Sequence, residues 1–256
     1  MSAANLLLKE RHVLIQQRLL AEGRVLALDL AQQLHVSEDT IRRDLRDLAS
    51  AGLCQRVYGG ALPVSPSSGP LSERQGQARD RKSQLAQAAV RLVQPGQIVF
   101  IDAGSTNMAV ADALPDIKLT VVTNAPAIAI ALLDRPAIDV ILIGGTLDAA
   151  SGACLGAKAL RDIESIRSDL CFLGTCGVHA AAGLTAFGHE DAECKRTIAA
   201  MSKVTVAAVT TEKLGTAAPF FILPAGQLSH LVLESDADSA HTDAFTRQGV
   251  SVLHAQ

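Results

Sequence analysis

Residues 36–61 read VSEDTIRRDLRDLASAGLCQRVYGGA, and this stretch decides how the chain is organised. Ser37 is a good helix N-cap, and Glu38 and Asp39 then fall in a first turn where negative charge complements the helix dipole. At about 100° per residue, Ile41, Leu45 and Leu48 share a narrow arc. Asp39, Arg43, Arg46 and Ser50 point the other way, with Arg42 on the flank. Taken alone, that arginine face is equally well read as a solvated surface paired with Asp39, Asp44 and Asp47. The sequel tips the balance: Gly52 ends the helix, and LCQRVYGGALP follows as a short hairpin carrying Arg56 and Tyr58 before Gly59 and Gly60. Helix, glycine and hairpin in that order predict the second half of a winged helix-turn-helix.

The first half lies upstream. Residues 5–22 place Leu7, Val13, Leu14 and Leu20 among charged residues with helical spacing, and Gly23 stops the run. A short helix over 28–34 puts Leu30, Ala31 and Leu34 on one side, and His35 and Val36 turn the chain towards Ser37. Such modules read base edges with the start of the second helix and hold phosphates with the wing and flanking cations. The expected partner is double-stranded DNA. Thr40 and Arg43 are the candidates for base edges, within a groove-facing first turn that also holds Ser37 and Asp39. Arg42, Arg46, Arg56 and Tyr58 are candidates for backbone contacts, with Tyr58 alternatively packed inside the wing. His12 and His35 read as ordinary surface residues.

Bulk properties agree with a local DNA patch on a globular protein. The chain has 256 residues, 48% hydrophobic and 19% charged, with a net charge of −3. Residues 1–62 carry eight Lys/Arg against seven Asp/Glu, so the slight basic excess sits where DNA would bind. Five cysteines show no CxxC pair and no zinc spacing, so no metal or other cofactor is expected. The odd count and the lack of a secretory leader point to reduced thiols and the cytoplasm. The longest apolar runs, such as AIAIALL at 127–133, are too short to span a membrane. Residues 63–72, opening with PVSPSSGP at 63–70, read as a linker between a module at 1–62 and a larger domain at 73–256.

Beyond the linker, 71–94 is a charged amphipathic stretch with Leu85, Ala88, Ala89, Leu92 and Val93 on its apolar side. Apolar β-type runs then alternate with helical segments, at 97–101, 119–123, 138–143, 170–174 and 204–209. That alternation predicts an α/β domain with mostly parallel strands flanked by helices. Four turns follow these strands: DAGSTN after the first, Asn124 after the second, Gly144 and Gly145 after the third, and TTEKLG with Lys213 after the last. Ligands in such sheets bind beyond the carboxyl ends of the strands, so these turns are expected to converge on one site. Asp102, Gly104, Ser105 and Thr106 suit an anion at a helix N-terminus. Thr123 and Asn124 either bind a sugar hydroxyl or cap the next helix; Gly144 and Gly145 either allow close backbone approach or form a tight turn. In GHEDAECKR at 188–196 the charges read mainly as a solvated face, and an isolated Lys213 is either a phosphate anchor or exposed.

The run from Val36 to Ala61 resembles the N-terminal signature of the DeoR family of bacterial sugar-operon regulators. IDAGSTN, VVTNAP, ILIGG, the Gly156 segment, DLCFLG and HEDAECKR through KLG continue the resemblance in order along nearly the whole chain. It implies a C-terminal domain with a fold like ribose-5-phosphate isomerase and a phosphorylated sugar or polyol as effector. It further implies a repressor of a carbohydrate-utilisation operon, working as a homodimer or homotetramer. Residue by residue it points to Asp102, Gly104, Ser105, Thr106, Thr123, Asn124, Gly144, Gly145, Glu193 and Lys213 for the effector. One departure stands out: the family commonly has an aspartate three residues before that lysine, where this chain has Thr210. The competing class is a sugar-phosphate isomerase with an appended DNA-binding domain, using Asp102 or Glu193 for proton transfer.

Overall fold

The computed structural model describes residues 7–66 and 70–256. The first helix, α1 (Leu8–Glu22), ends at Gly23 in the left-handed conformation. Strand β1 (Val25–Leu26) leads into α2 (Ala27–Leu34), and His35 makes the turn to α3 (Glu38–Ser50). Strands β2 (Gln55–Val57) and β3 (Gly60–Leu62) form the wing, and β1 pairs with β3 to give the order β1-β3-β2. The phase expected for α1 is corrected: Leu7 and Val13 are exposed, and Ile15 and Leu19 are the buried residues. The side chain of Leu20 and residues 5 and 6 lie outside the described residues. Ile15, Leu19, Leu30, Leu34, Ile41, Leu45 and Leu48 close a small core of their own. A buried Asp44 carboxylate ties α3 to α1 by accepting two hydrogen bonds from the Arg11 guanidinium.

Residues 63–65 are not a loose connection. Ala217 N donates to Pro63 O, Ser65 N donates to Ala217 O, and the Ser65 hydroxyl donates to Cys176 O. The remainder of the linker includes residues 67–69, which lie outside the described residues. The single amphipathic stretch expected at 71–94 is two helices, α4 (Leu71–Gly76) and α5 (Arg79–Ala89), broken at Ala78, whose φ is 51°. Leu85, Ala88, Ala89 and Val93 are buried as expected.

The larger domain begins with β4 (Ile98–Ile101), α6 (Ser105–Ala113), β5 (Leu119–Thr123), α7 (Pro126–Ala131) and β6 (Ile138–Leu142). A hairpin of β7 (Thr146–Asp148) and β8 (Ala153–Leu155) precedes α8 (Ala157–Glu164) and β9 (Ser168–Phe172). There follow β10 (Gly177–His179), β11 (Gly183–Ala186), α9 (His189–Ala200), β12 (Ser202–Ala208) and β13 (Phe220–Leu223). The chain ends with β14 (His230–Leu233), α10 (Ser239–Thr246) and β15 (Ser251–His254). Seven strands form one parallel sheet in the order β15-β14-β12-β9-β4-β5-β6. All five predicted strands are in it; β14 and β15 extend it at one edge. Their inward-facing Val, Leu and Ile side chains, with Phe100 and Phe172, build the main core between the helices. A small antiparallel sheet, β10-β11-β13, lies beside it.

From β4 the chain builds outward through β5 and β6, then returns to the other side of β4 with β9. The order therefore reverses between β4 and β9, and a crevice at their carboxyl ends follows from that reversal.

Candidate DNA-reading surface and effector cavity

On α3 the Ser37 Oγ accepts from Thr40 N at 3.1 Å and pairs with the Thr40 hydroxyl at 2.8 Å. The cap thus holds Thr40, so the two act as one polar group at the helix start. Asp39, Arg42, Arg43 and Arg46 are exposed on one side of α3, while Ile41, Leu45 and Leu48 are buried on the other. Arg42 pairs with Glu38 and Arg43 with Asp39, both one turn apart and solvent-exposed. Such pairs are worth about 0–1 kcal/mol, so the guanidinium groups can be redirected to DNA at little cost. Asp44 is no part of that solvated network; it is the buried partner of Arg11. In the wing Arg56 is exposed, and Tyr58 is fully exposed beside Gly59 rather than packed inside. Gly60 permits the third strand: a Cβ there would stand 1.9 Å from Val25 O.

In the larger domain a cavity of about 230 Å³ opens where β4 and β9 end. Ala103, Gly104, Ser105, Thr106 and Asn107 line it from the start of α6, and Gly174, Thr175 and Cys176 from the end of β9. Gly188, Asp191 and Lys195 enter from α9, Asp148 and Ser151 from the β7–β8 hairpin, Arg74 from α4, and Lys213 from the turn after β12. The first-turn N–H groups of α6 face no helical acceptor, and Gly104 caps with an open backbone and no side chain. Thr106 is only 5% exposed, yet its Oγ1 has no hydrogen-bond partner. Burial pushes Lys213 down to about 8, with Arg74 and Lys82 adding to the effect, while its Nζ donates to Thr175 O. A helix N-terminus without a side-chain cap and a lysine short of counter-charge, both bordering one cavity, are groups whose chemistry suits an oxyanion.

The expected residues divide. Gly104, Ser105, Thr106 and Lys213 line the cavity together. Asp102 does not line it; it lies beneath, fully buried, its Oδ2 accepting from Gly174 N and from Lys195 Nζ, both at 2.8 Å. Thr123 and Asn124 are corrected from ligand contacts to braces: the Thr123 hydroxyl donates to Ile101 O, and Asn124 Oδ1 accepts from Ala103 N, holding the α6 turn from behind. Gly144 and Gly145 are also away from the lining; a Cβ on Gly145 would meet Leu155 O at 2.5 Å, so that glycine serves close packing with β8. Glu193 is half-buried on α9, two residues from Asp191 and so on another side of the helix from the cavity.

Sequence reasoning missed Asp191 and Lys195, assigned to a solvated face. Both are buried, and Lys195 donates to Asp191 Oδ1 at 2.7 Å as well as to Asp102. Burial alone would lower Lys195, but Asp102 and then Asp191 outweigh it and hold the ammonium charged. The signal present in the sequence was the i, i+4 spacing of a carboxylate and a lysine at a helix start, which does not by itself distinguish surface from interior. Arg74, Asp148, Ser151 and Gly174–Cys176 were likewise not singled out. Among the described residues no helix is long and apolar enough to cross a membrane.

Comparisons with known proteins follow this division. A profile described as a DeoR-like helix-turn-helix domain matches residues 11–67, and one described as a DeoR C terminal sensor domain matches residues 77–235. The HTH-type transcriptional regulator GolR of Listeria innocua is 31% identical over 237 residues, covering 91% of this chain and 93% of that protein. The glycerol-3-phosphate regulon repressor of Escherichia coli is 32% identical over 237 residues, covering 92% and 90%. Among solved structures, ribose 5-phosphate isomerase A from Methanocaldococcus jannaschii aligns with 53% of this chain and 54% of its own, at 16% identity and a TM-score of 0.40. With a winged reading helix ahead of a sensor domain and full-length relatives of the same kind, this chain belongs to the DeoR family of DNA-binding transcriptional regulators.

Proposed function

We propose that the chain is a repressor of a carbohydrate-utilisation operon, switched by a phosphorylated sugar or polyol held in the cavity at the start of α6. The observation that carries this reading is the α6 N-terminus, which has no side-chain cap and whose Gly104, Ser105 and Thr106 line the same cavity as Lys213. The phosphate sits at that N-terminus and restores the counter-charge that Lys213 lacks. Hydroxyl groups of the ligand face Asp148, Ser151, Asp191 and Lys195. The regulon in the name of one relative concerns a phosphorylated polyol, the class that suits this lining.

On this reading Ser37 and Thr40, with Asp39 and Arg43, contact base edges, and Arg42, Arg46, Arg56 and Tyr58 hold the phosphate backbone. Residues 1–62 form the reading module and 73–256 the sensor, with 63–72 between them, and two or four copies bind together on a two-fold operator in the cytoplasm. The chain acts without turnover: Asp102, the carboxylate an isomerase would use, stands below the cavity and does not line it, its Oδ2 held by Gly174 N and Lys195. A panel of phosphorylated sugars and polyols tests the proposal by thermal shift. At least one is expected to stabilise the protein, by about 2.7 kcal/mol at a hundredfold excess over its Kd, and the shift is expected to vanish in Lys213→Ala. Stabilisation by none of the panel would overturn it, as would turnover of a stabilising ligand.

A further inference from the structure

The cavity contains a second polar feature that the anion receptor does not use. Lys195 Nζ spends two of its three N–H groups on Asp102 Oδ2 and Asp191 Oδ1. Lys195 lines the cavity together with Gly174, whose missing side chain leaves room near the ammonium. A Cβ at Gly174 would stand 3.5 Å from Nζ and 2.4 Å from Ala103 O. Asp191 Oδ1 is taken by Lys195, whereas Oδ2 accepts no hydrogen bond from any described residue. One cationic donor and one anionic acceptor are therefore held side by side, both on residues at least nine-tenths buried, in the wall of the same cavity. The complement of an adjacent donor and acceptor is a group that both accepts and donates, and on a sugar or polyol ester that group is a hydroxyl.

Position narrows the chemistry. Asp102, which anchors Lys195, immediately precedes the Ala103–Gly104 turn into α6, so the pair stands close to the phosphate end. We infer that Lys195 and Asp191 are specificity-determining residues that read a hydroxyl on the carbon next to the phosphate-bearing one, so that the effector is a phosphate ester with a vicinal hydroxyl. This rests on the anion reading of the α6 turn. Lys195 donates to the hydroxyl oxygen and Asp191 Oδ2 accepts its hydrogen. A ligand without that hydroxyl leaves a charged donor and acceptor buried and dry, which a site of this kind rejects. The carboxylate–lysine arrangement needs no ligand to be in place, so little ordering accompanies binding.

Titration calorimetry on the wild-type full chain tests this with three probes: inorganic phosphate, glycerol 3-phosphate, and propane-1,3-diol monophosphate, which differs from the second by one vicinal hydroxyl. Glycerol 3-phosphate is expected to bind about 10- to 100-fold more tightly than the propanediol ester, the loss that goes with hydrogen bonds to charged groups. Equal affinity of the two esters overturns the inference while leaving the anion site standing. Failure of all three to bind overturns the anion site and this inference together. Asp191→Asn is expected to reduce the ratio between the esters at least several-fold. A purely structural role for Asp191 would instead weaken both esters alike and leave the ratio unchanged.

Discussion

Lys213 carries the clearest consequence at the scale of single residues. Its protonated form is disfavoured by burial and binds an anion well, so the ligand-free protein holds it at about 8 and ligand binding takes up a proton. A phosphate monoester becomes dianionic near pH ~6. Effector affinity is therefore expected to be greatest between about pH 6 and the Lys213 value of about 8, and to fall above it. Calorimetry across that range checks the profile, and Lys213→Met should remove the decline at high pH along with most of the affinity. The stability sign is opposite to that of a paired lysine. With the folded value depressed, the ligand-free protein gains stability as pH rises through about 8, and Lys213→Met should abolish that gain in thermal melts. In the reading module, Asp44 is a buried carboxylate engaged by Arg11. Asp44→Ala is expected to cost the reading module about 1–3 kcal/mol, measured by denaturant unfolding, because it removes the buried carboxylate that accepts two hydrogen bonds from Arg11 and ties α3 to α1.

Among secondary-structure elements, what could be read in advance was what depends on near neighbours. The cap, phase and end of α3, a helix of thirteen residues, are set by Ser37, Ile41, Leu45, Leu48 and Gly52, all in or next to it, and were legible there. Strand β1 was not, because its two residues become a strand only by pairing with β3 across the wing. The phase of α1 failed for a related reason: Leu7 and Val13 fit a helical stripe, but Asp44 anchors Arg11 and thereby sets which side of α1 faces α3. In the sensor the α6 turn was legible, whereas Asp191 and Lys195 acquire their meaning from Asp102, ninety-three residues from Lys195. Gly60→Ala is expected to unpair β1 from β3, since the new Cβ would overlap Val25 O; loss of amide protection at Ala61 in hydrogen exchange would report it. Ser37→Ala should cost about 1 kcal/mol of module stability and weaken DNA binding, because it frees both Thr40 N and the Thr40 hydroxyl.

At the scale of the whole molecule, the chain leaving the wing runs directly into the sensor. Pro63 and Ser65 bond to Ala217 and Cys176, residues in the two turns that also carry Lys213 and line the cavity. Output surface and cavity wall are therefore a few residues apart along continuous hydrogen bonding, although their cores are separate. DNA affinity should fall steeply with salt, and Arg56→Ala should lower the slope by about one per module without changing sequence preference. Arg43→Ala should instead cost about 1–3 kcal/mol and relax preference at a single base pair.

Regulation requires that the cavity control the reading helix. The direct measurement is the affinity of the full chain for a DNA fragment it selects from a random pool, with and without saturating phosphorylated sugars and polyols. At least one ligand is expected to change that affinity by about fivefold or more, and Lys213→Ala should bind the same DNA while losing the response. Unchanged DNA affinity with every ligand, or a response that survives Lys213→Ala, would contradict it.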